Sequence, residues 1–578
     1  MAQYIFVKTR NNSNMLEKLE CVCELLTPDE IKKTSDNFVG KWGGKFNSYY
    51  AIQNSKGVEL ENNGALLIGW VDEINSIYKD TTDINGSYAV IKDFKNKLSF
   101  FCDQFGSRTL WYYLDNENFI ISTSQRAIVA LKNSFHLNKE SIAWYLSAGC
   151  QGPFISWDKN IIQVLPDFQY YFDDENWSIS SIKKKDLLLP KPNTTKKAEF
   201  INFFEKKLKK SLLDIIRKNN EEKKLLPISG GLDSRLLLGL SDDLKIINNL
   251  DLINWGVKSN LFDDKKAATE ISKFYDKELI DIYLPEKIEV FDPMLNNFVA
   301  QSEGRIDHFN AFTDCFNLWK SLNQSNYKII IRGDIPYPTG LHLNDKQARQ
   351  KIGLEKLSDF MNFNHPELDI YKNLQTHCDL SRYTDESLIR WRDRLYASWR
   401  VPIILAGFTQ LMSAYSENRT PMMDWELFKE YMGLPDKNKG NKLHIRELWG
   451  KYDKTNISDS AVPSLKHMTD YFNTKEGKEY LLQGLENLTN AELLGKNFIK
   501  EVSGKLAANK ITKKTKVSYI SKFKIFLSKK LPPYLKYYLK SKQPMYLSYV
   551  AVAYRLILVD KIINLYVSDS NSMNKVRN

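Results

Sequence analysis

Two glycines and three polar side chains fall within six residues in Ser229-Gly230-Gly231-Leu232-Asp233-Ser234, between an apolar approach, "KKLLPI", and a leucine-rich run, "RLLLGL". The approach has the length of a buried strand and the run has the spacing of an amphipathic helix. Gly230 and Gly231 therefore sit in a strand-to-helix turn, where a backbone without Cβ atoms can approach a ligand closely. Amide groups at a helix N-terminus, together with the hydroxyls of Ser229 and Ser234, form an anion cradle suited to phosphate. This is not a Walker loop, because the spacing G-x-x-x-x-G-K-[ST] is absent and no lysine follows the glycines.

The elements that must position such a turn belong to the second part of the chain. Before about residue 190, short β-rich runs such as "GALLIGWVD", "GSYAVIKDF" and "NFIISTS" alternate with turn residues, as expected of hairpins in layered antiparallel sheets. After the connector "LLLPKPNTTKKAEF", helical periodicity takes over in "EFINFFEKKLKKSLLDIIRK". Two domains are expected, over 1–190 and 195–578, since 578 residues exceed what one core serves. With 43% apolar and 26% charged residues the composition is that of a globular chain. No apolar run reaches the ~18 residues of a membrane span and the start lacks a signal-like apolar region, so a cytoplasmic protein without a membrane partner is expected. The cysteines at 21, 23, 102, 150, 315 and 378 make no disulfide framework. Cys21 and Cys23 lack the second Cys/His pair of a zinc site and read as buried structural thiols. The net charge of +12 is concentrated: twelve lysines and no acid lie between Lys505 and Lys542. That segment reads as an insertion over 505–542 with a solvated face, or alternatively as a contact for an anionic partner.

The Ser229–Ser234 stretch resembles the pyrophosphate loop (PP-loop) of the N-type ATP pyrophosphatases, and the chain as a whole is most similar to their asparagine synthetase-like group. The resemblance implies ATP and Mg²⁺ as cofactors, with Ser229, Gly230, Gly231, Asp233, Ser234 and, in "INWGV", Gly256 around the nucleotide. Asp264, which opens the helix after "SNLFDD", and Asp334 of "IIIRGDIP" match the two aspartates that share Mg²⁺ with the pyrophosphate; Asp263 is the alternative to Asp264. "GDIP" resembles the loop of β-lactam synthetases more than that of asparagine synthetases proper. Those relatives place a tyrosine of the catalytic base three residues before the aspartate, where this chain has Ile331. Glu417, Arg419, Pro421 and Asp424 match an E-x-R-x-P-x-x-D block, and Lys442 with Arg446 the block after it. By this resemblance Lys442 stabilises charge on the α-phosphate and the leaving pyrophosphate. Glu417, which orients the tyrosine in the relatives, is the second candidate catalytic residue, or structural in the tyrosine's absence.

The stretches "INGSYAVI", "CDQFGSRTLWYY" and "ISTSQRAIVAL" resemble the class II glutamine amidotransferase domain, whose nucleophile is a cysteine exposed when Met1 is removed. Here residue 2 is Ala, so 1–190 is expected to be glutaminase-inactive. The fold class implied is an Ntn-like antiparallel sandwich followed by an adenine-nucleotide α-hydrolase-like (PP-loop) parallel sheet with a mostly helical C-terminal part. Its closing helix, near "MYLSYVAVAYRLILVDKIINLYV", is expected to pack on the synthetase core. The function implied is an AMP-forming ligase that adenylates a substrate carboxylate and joins it to an amine of the same substrate. Natural-product cyclisations of the lasso-peptide or β-lactam kind are the expected setting. Partners would be a small-molecule or peptide substrate, such as a precursor peptide with its protease or leader-binding protein, and no nucleic acid. A non-catalytic nucleotide-binding scaffold and an intermolecular ligase or asparagine synthetase using free ammonia are the alternatives.

Overall fold

The computed structural model describes residues 3–573 apart from 12–13, 34–35, 43–46, 55–57, 62–63, 73–76, 78–83, 95–96, 185–188, 219–221, 259–263, 339–344, 376–379, 441, 456, 458–464, 509–531 and 533–544. Ala2, Asp263, Cys378 and all of the lysine-rich segment beyond Ala508 except Pro532 lie outside the described residues.

Twelve strands come first: β1 (Gln3–Thr9), β2 (Phe38–Lys41), β3 (Ser48–Gln53), β4 (Val58–Glu61), β5 (Ala65–Val71), β6 (Gly86–Phe94), β7 (Lys97–Cys102), β8 (Trp111–Leu114), β9 (Asn118–Ser122), β10 (Ile162–Gln163), β11 (Phe168–Asp173) and β12 (Ser178–Lys183). They form two six-stranded sheets, ordered β10-β8-β9-β1-β3-β2 and β12-β11-β7-β6-β5-β4, with antiparallel pairing throughout. Period-two alternation decides which way each side chain faces. Tyr4 and Phe6 of β1 enter the core between the sheets with Phe100 and Phe119. Ile5 and Val7, on the other face, meet Leu19, Val22 and Ile128 of the covering helices. Phe119 stacks on Phe172 across the sandwich at 4.0 Å, so each sheet contributes one apolar face to a shared layer.

The later part of the chain carries a second architecture. Strands β13 (Lys223–Pro227), β14 (Asp251–Val257), β15 (Leu279–Leu284), β16 (Tyr327–Ile331) and β17 (Glu417–Arg419) make one five-stranded sheet ordered β15-β14-β13-β16-β17. Every pairing in it is parallel. Parallel strands covered on both faces must be apolar on both faces. Accordingly Leu225, Ile253 and Ile330 join one core cluster, and Leu226, Leu252, Ile329 and Ile331 join another. The chain is thus mixed α/β, with antiparallel sheets first and a parallel sheet with many helices after them.

The C-terminal helix, Tyr549–Asn571, packs against more than the later part of the chain. Its Leu556, Val559 and Ile563 share a cluster with Ile128 and Ile142 of the first part and with Leu295 and Leu481 of the second. Arg126 donates to both carboxylate oxygens of Asp569 at 2.7 and 2.9 Å, with both side chains nearly inaccessible. Arg555 donates to Asp307 at 2.8 Å and to the carbonyls of Leu146 and Ser147. Gly149, at the end of the helix Lys139–Ala148 with φ +69°, abuts this pair so closely that a Cβ would lie 2.1 Å from Asp307 Oδ2. No helix among the described residues is long and apolar enough to cross a membrane.

Removing one member of a buried pair strands the other charge in a low-dielectric site. Asp569→Ala is therefore expected to cost about 3–5 kcal/mol, read as a lower urea midpoint. Replacing both partners together (Arg126→Leu with Asp569→Leu) is expected to recover most of that loss.

Candidate active site

The sheet order fixes where a ligand can approach. From β13 the chain continues outward to β14 and β15, and then returns to β13's other side to add β16 and β17. The β13/β16 boundary is the topological switch point, and in open α/β sheets ligands occupy the crevice outside the carboxyl ends of strands at such a point. The Ser229–Ser234 turn leaves the carboxyl end of β13, and the Arg332–Asp334 turn leaves that of β16.

The first turn forms the expected strand-to-helix junction. The helix runs Leu232–Asp243, with Gly231 at its N-cap and Asp233 in its first turn. Internal partners meet its backbone amides: Gly230 N–H donates to Asp264 Oδ1 at 2.6 Å, Gly231 N–H to Ser229 Oγ at 3.1 Å, and Ser229 N–H to Ser234 Oγ at 3.3 Å. An entering phosphate would exchange these contacts, with Asp264 as the nearest carboxylate. Asp264 is buried at the N-terminus of the helix Asp264–Phe274. Gly256 lies inside β14, paired with Tyr283 in β15.

The second turn closes on the first. A Cβ on Gly333 would lie 2.7 Å from the Cβ of Asp233, so only glycine allows this approach. Asp334, the next residue, pairs with Arg332 at 3.2 Å. Lys442 reaches the same point from the far end of the chain, its Nζ donating to Asp233 Oδ2. It does so from left-handed backbone, φ 54°, at the N-cap of the helix Leu443–Tyr452, a conformation that costs a non-glycine residue about 1–3 kcal/mol and concentrates at functional sites. Asp233, Asp264, the Gly333–Asp334 turn and Lys442 thus come together from four separated segments. Among the described residues no group of three or more His, Cys, Asp or Glu forms a metal-holding cluster. Two carboxylates are nonetheless a donor set that suits Mg²⁺, which keeps water and takes substrate phosphate oxygens besides.

Two predicted positions are used differently from the aspartates. Ile331 is fully buried in the sheet core, so no proton-transfer group stands at that place. Glu417 in β17 is 7% exposed and its Oε1 accepts from Arg108 Nη2 at 2.6 Å. Arg108 also donates to the carbonyl of Asn418 and to Ser87 Oγ. Behind it, Asp103 collects the amides of Tyr88, Phe105, Ser107 and Arg108 and the Ser107 hydroxyl. Asp424 caps the helix Trp425–Gly433 and accepts from the Asn85 side chain at 2.5 Å. The E-x-R-x-P-x-x-D block therefore lies on the seam between the antiparallel and the parallel sheets.

Several residues at the site carry no signal in the sequence around them. Arg235 holds the phosphate-type turn from behind, donating to the carbonyl of Gly230 at 3.3 Å and to Asp453 at 2.5 Å. Tyr396 opens the rare π-helix Tyr396–Leu405. Burial pushes its phenol up, Arg400 opposes the rise, and Asp334 and Asp233 are near enough to add to it. Behind the site Tyr337 stacks on Tyr431 at 3.9 Å and hydrogen-bonds His444. No local pattern announces these residues, because their partners come from distant segments.

Burial pushes the thiols of Cys23, Cys102 and Cys150 up to about 12, and raises those of Cys21 and Cys315. A thiol held protonated is a poor nucleophile. Cys21 and Cys23 lie on the helix Met15–Leu26, with Cys23 buried and Cys21 half-buried.

Burial, with Lys442 adding to it, lowers the His444 imidazole to about 3. The unfolded chain, with an ordinary value of 6.5, then binds a proton that the folded chain refuses. The contribution of neutral His444 is fully present above pH 6.5 and lost as the pH falls toward 3. The stability difference between the wild type and His444→Gln is expected to shrink as pH drops through this window, by up to about 1.4 kcal/mol per unit, in denaturant titrations at a series of pH values.

No protein-family model matches the chain, and no curated protein matches it. Several solved structures are similar to it in part, among them the two that follow. The "structure of the allosteric regulatory enzyme of purine biosynthesis" aligns over 39% of this chain and 60% of its own, at 9% identity and a TM-score of 0.20. The glutamine phosphoribosylpyrophosphate (PRPP) amidotransferase from B. subtilis, complexed with ADP and GMP, aligns over 58% and 75% at 9% identity and a TM-score of 0.20. The chain thus spans less than two thirds of the first structure's length, and overlap this loose leaves the site to be read from its own geometry.

Proposed function

We propose that the chain is an ATP-dependent, AMP-forming ligase of the asparagine synthetase-like, PP-loop type, with an Ntn-like amidotransferase domain kept as architecture. The observation that carries this reading is the meeting of the Ser229–Ser234 turn, Asp264, the Gly333–Asp334 turn and Lys442 at the β13/β16 switch point. A serine- and glycine-rich helix N-terminus takes the β,γ-phosphates. Mg²⁺ held by Asp264 and Asp334 would supply charge neutralisation on the pyrophosphate. Lys442 would pass its charge from Asp233 to the α-phosphate side as negative charge builds there, stabilising the transition state more than the ground state. The carboxylate oxygen of the substrate would attack the α-phosphorus, pyrophosphate would leave, and an amine would then attack the acyl carbon and release AMP.

The amine is read as part of the substrate. Residue 2 is Ala, which cannot serve as the N-terminal nucleophile, and burial raises the thiols of the described cysteines; both favour a chain that does not itself release ammonia from glutamine. Holding amine and activated carboxylate in one molecule makes the second step unimolecular and gives it the advantage of proximity. Ring closure in natural-product biosynthesis, on a small molecule or a precursor peptide, is the reaction this implies.

With its cognate substrate and Mg²⁺ the protein is expected to convert ATP to AMP and pyrophosphate while the substrate loses the mass of one water. Lys442→Ala is expected to lower kcat about 10²–10³-fold with little change in ATP affinity. Asp264→Asn and Asp334→Asn should raise the Mg²⁺ requirement as well as lower turnover. Gly333→Ala should raise the KM for ATP, because its Cβ displaces Asp233. Release of ADP and phosphate, or of glutamate from added glutamine, would contradict the assignment.

A further inference from the structure

A cleft of about 560 Å³ opens between the antiparallel and the parallel parts of the chain, a volume that suits a small organic ligand. Its walls are aromatic. Phe105 meets Trp425 and Phe428 edge-on at 5.1 and 5.5 Å on one side, and Phe154 meets Trp399 at 5.4 Å on the other. Phe154 holds left-handed backbone, φ 53°. For a bulky side chain this is an outlier, and such strain persists where the surroundings fix a residue for a purpose. Trp399, with Ala397 and Ser398, belongs to the π-helix that begins at Tyr396 and contains Pro402. π-Helical turns are rare and occur frequently at functional sites.

The cleft is also cationic. Among the described residues Lys183, Lys184, Arg390 and Arg394 line it with Asp167 and Glu386, Lys184 being buried with its Nζ donating to the carbonyl of Cys102 at 2.7 Å. Arg394 takes both oxygens of Glu386 at 2.8 Å, and Lys183 lies 3.8 Å from Asp167. Arg390 donates to the carbonyls of Met432 and Pro190, with Glu386 the foremost carboxylate acting on it. Aromatic faces with surplus positive charge select a ligand that is aromatic and anionic.

We propose that this cleft binds the aromatic portion of a carboxylate-bearing substrate, with Phe154, Trp399 and Trp425 against the ring and Lys183 and Arg390 facing its negative charge. The proposal rests on the ligase reading for what is done to the substrate, but the binding itself does not.

The test is calorimetric titration of the full-length protein with N-acetyl-L-phenylalanine, its neutral amide, and acetate, alongside a separate titration with Mg²⁺ and a non-hydrolysable ATP analogue. The carboxylate probe is expected to bind saturably at one site, with the amide and acetate each at least tenfold weaker. Trp399→Ala is expected to weaken both aromatic probes at least tenfold. Lys183→Glu, at an exposed position that the fold does not need, is expected to weaken the carboxylate probe by a similar factor and leave the amide unchanged. Neither change should alter nucleotide affinity, which also reports that the variants are folded. Absence of saturable binding by the aromatic carboxylate, or binding indifferent to both substitutions, would overturn the proposal. Probe binding without nucleotide binding would leave the cleft standing and remove the ligase reading; nucleotide binding without probe binding would do the reverse.

Discussion

The parallel pairing of β13 with β16 is the constraint on which the rest depends. Lys224 and Leu225 lie beside Ile329 and Ile330 in register, so the turns that follow the two strands emerge side by side at one edge of the sheet. Everything polar at the site is reached from those turns. Asp233 sits on the first, Gly333 is pressed against it by the second, Asp264 is tied to Gly230, and Lys442 is drawn in by Asp233. A one-residue slip of β16 would turn Ile329 and Ile331 out of their core cluster and carry Asp334 away from the edge. The apolar register of the sheet and the geometry of the polar site are therefore one property.

Buried charge joins the antiparallel part to this sheet. Asp103 is saturated by four backbone amides and a hydroxyl, and through Ser107 and Ser87 it orders Arg108, which clamps Glu417 and the carbonyl of Asn418. The strand so clamped, β17, is only three residues long and pairs with β16 on its outer side. The clamp gives the first part of the chain a structural role, because it fixes the edge of the sheet that carries the candidate site. The same seam holds the aromatic cleft, whose Trp425 follows the helix cap Asp424.

The legible features were those written in consecutive residues. The Ser229–Ser234 turn could be read because glycines, hydroxyls and flanking apolar runs all fall in one short window, and β5, β6 and β9 because alternation and turn residues are local. β13 reads as an apolar run for the reason that parallel strands are covered on both faces. β17, with the sequence Glu-Asn-Arg, carries no strand signal and exists only by pairing with β16. The π-helix could not be read because Pro402 inside it signals a break. Arg108 and Arg235 gave no sign because their carboxylate partners lie 309 and 218 residues away. Glu417 was read through the tyrosine it would orient; with Ile331 in the core, its described partner is a guanidinium instead. The closing helix packs on the later core, as its apolar face implies, and Arg126 and Asp307 also tie it to both parts of the chain.

As a ligase of this kind, the chain would bind a nucleotide triphosphate at the carboxyl edge of β13 and β16, between Asp264 and Asp334. A crystal structure of the protein with Mg²⁺ and α,β-methylene-ATP, in which the α–β bridge cannot be cleaved, tests this directly. The account predicts the β,γ-phosphates on the amides of the Ser229–Ser234 turn, with Lys442 released from Asp233 toward the α-phosphate. A nucleotide bound elsewhere, or its absence from this turn at saturating concentration, would contradict it.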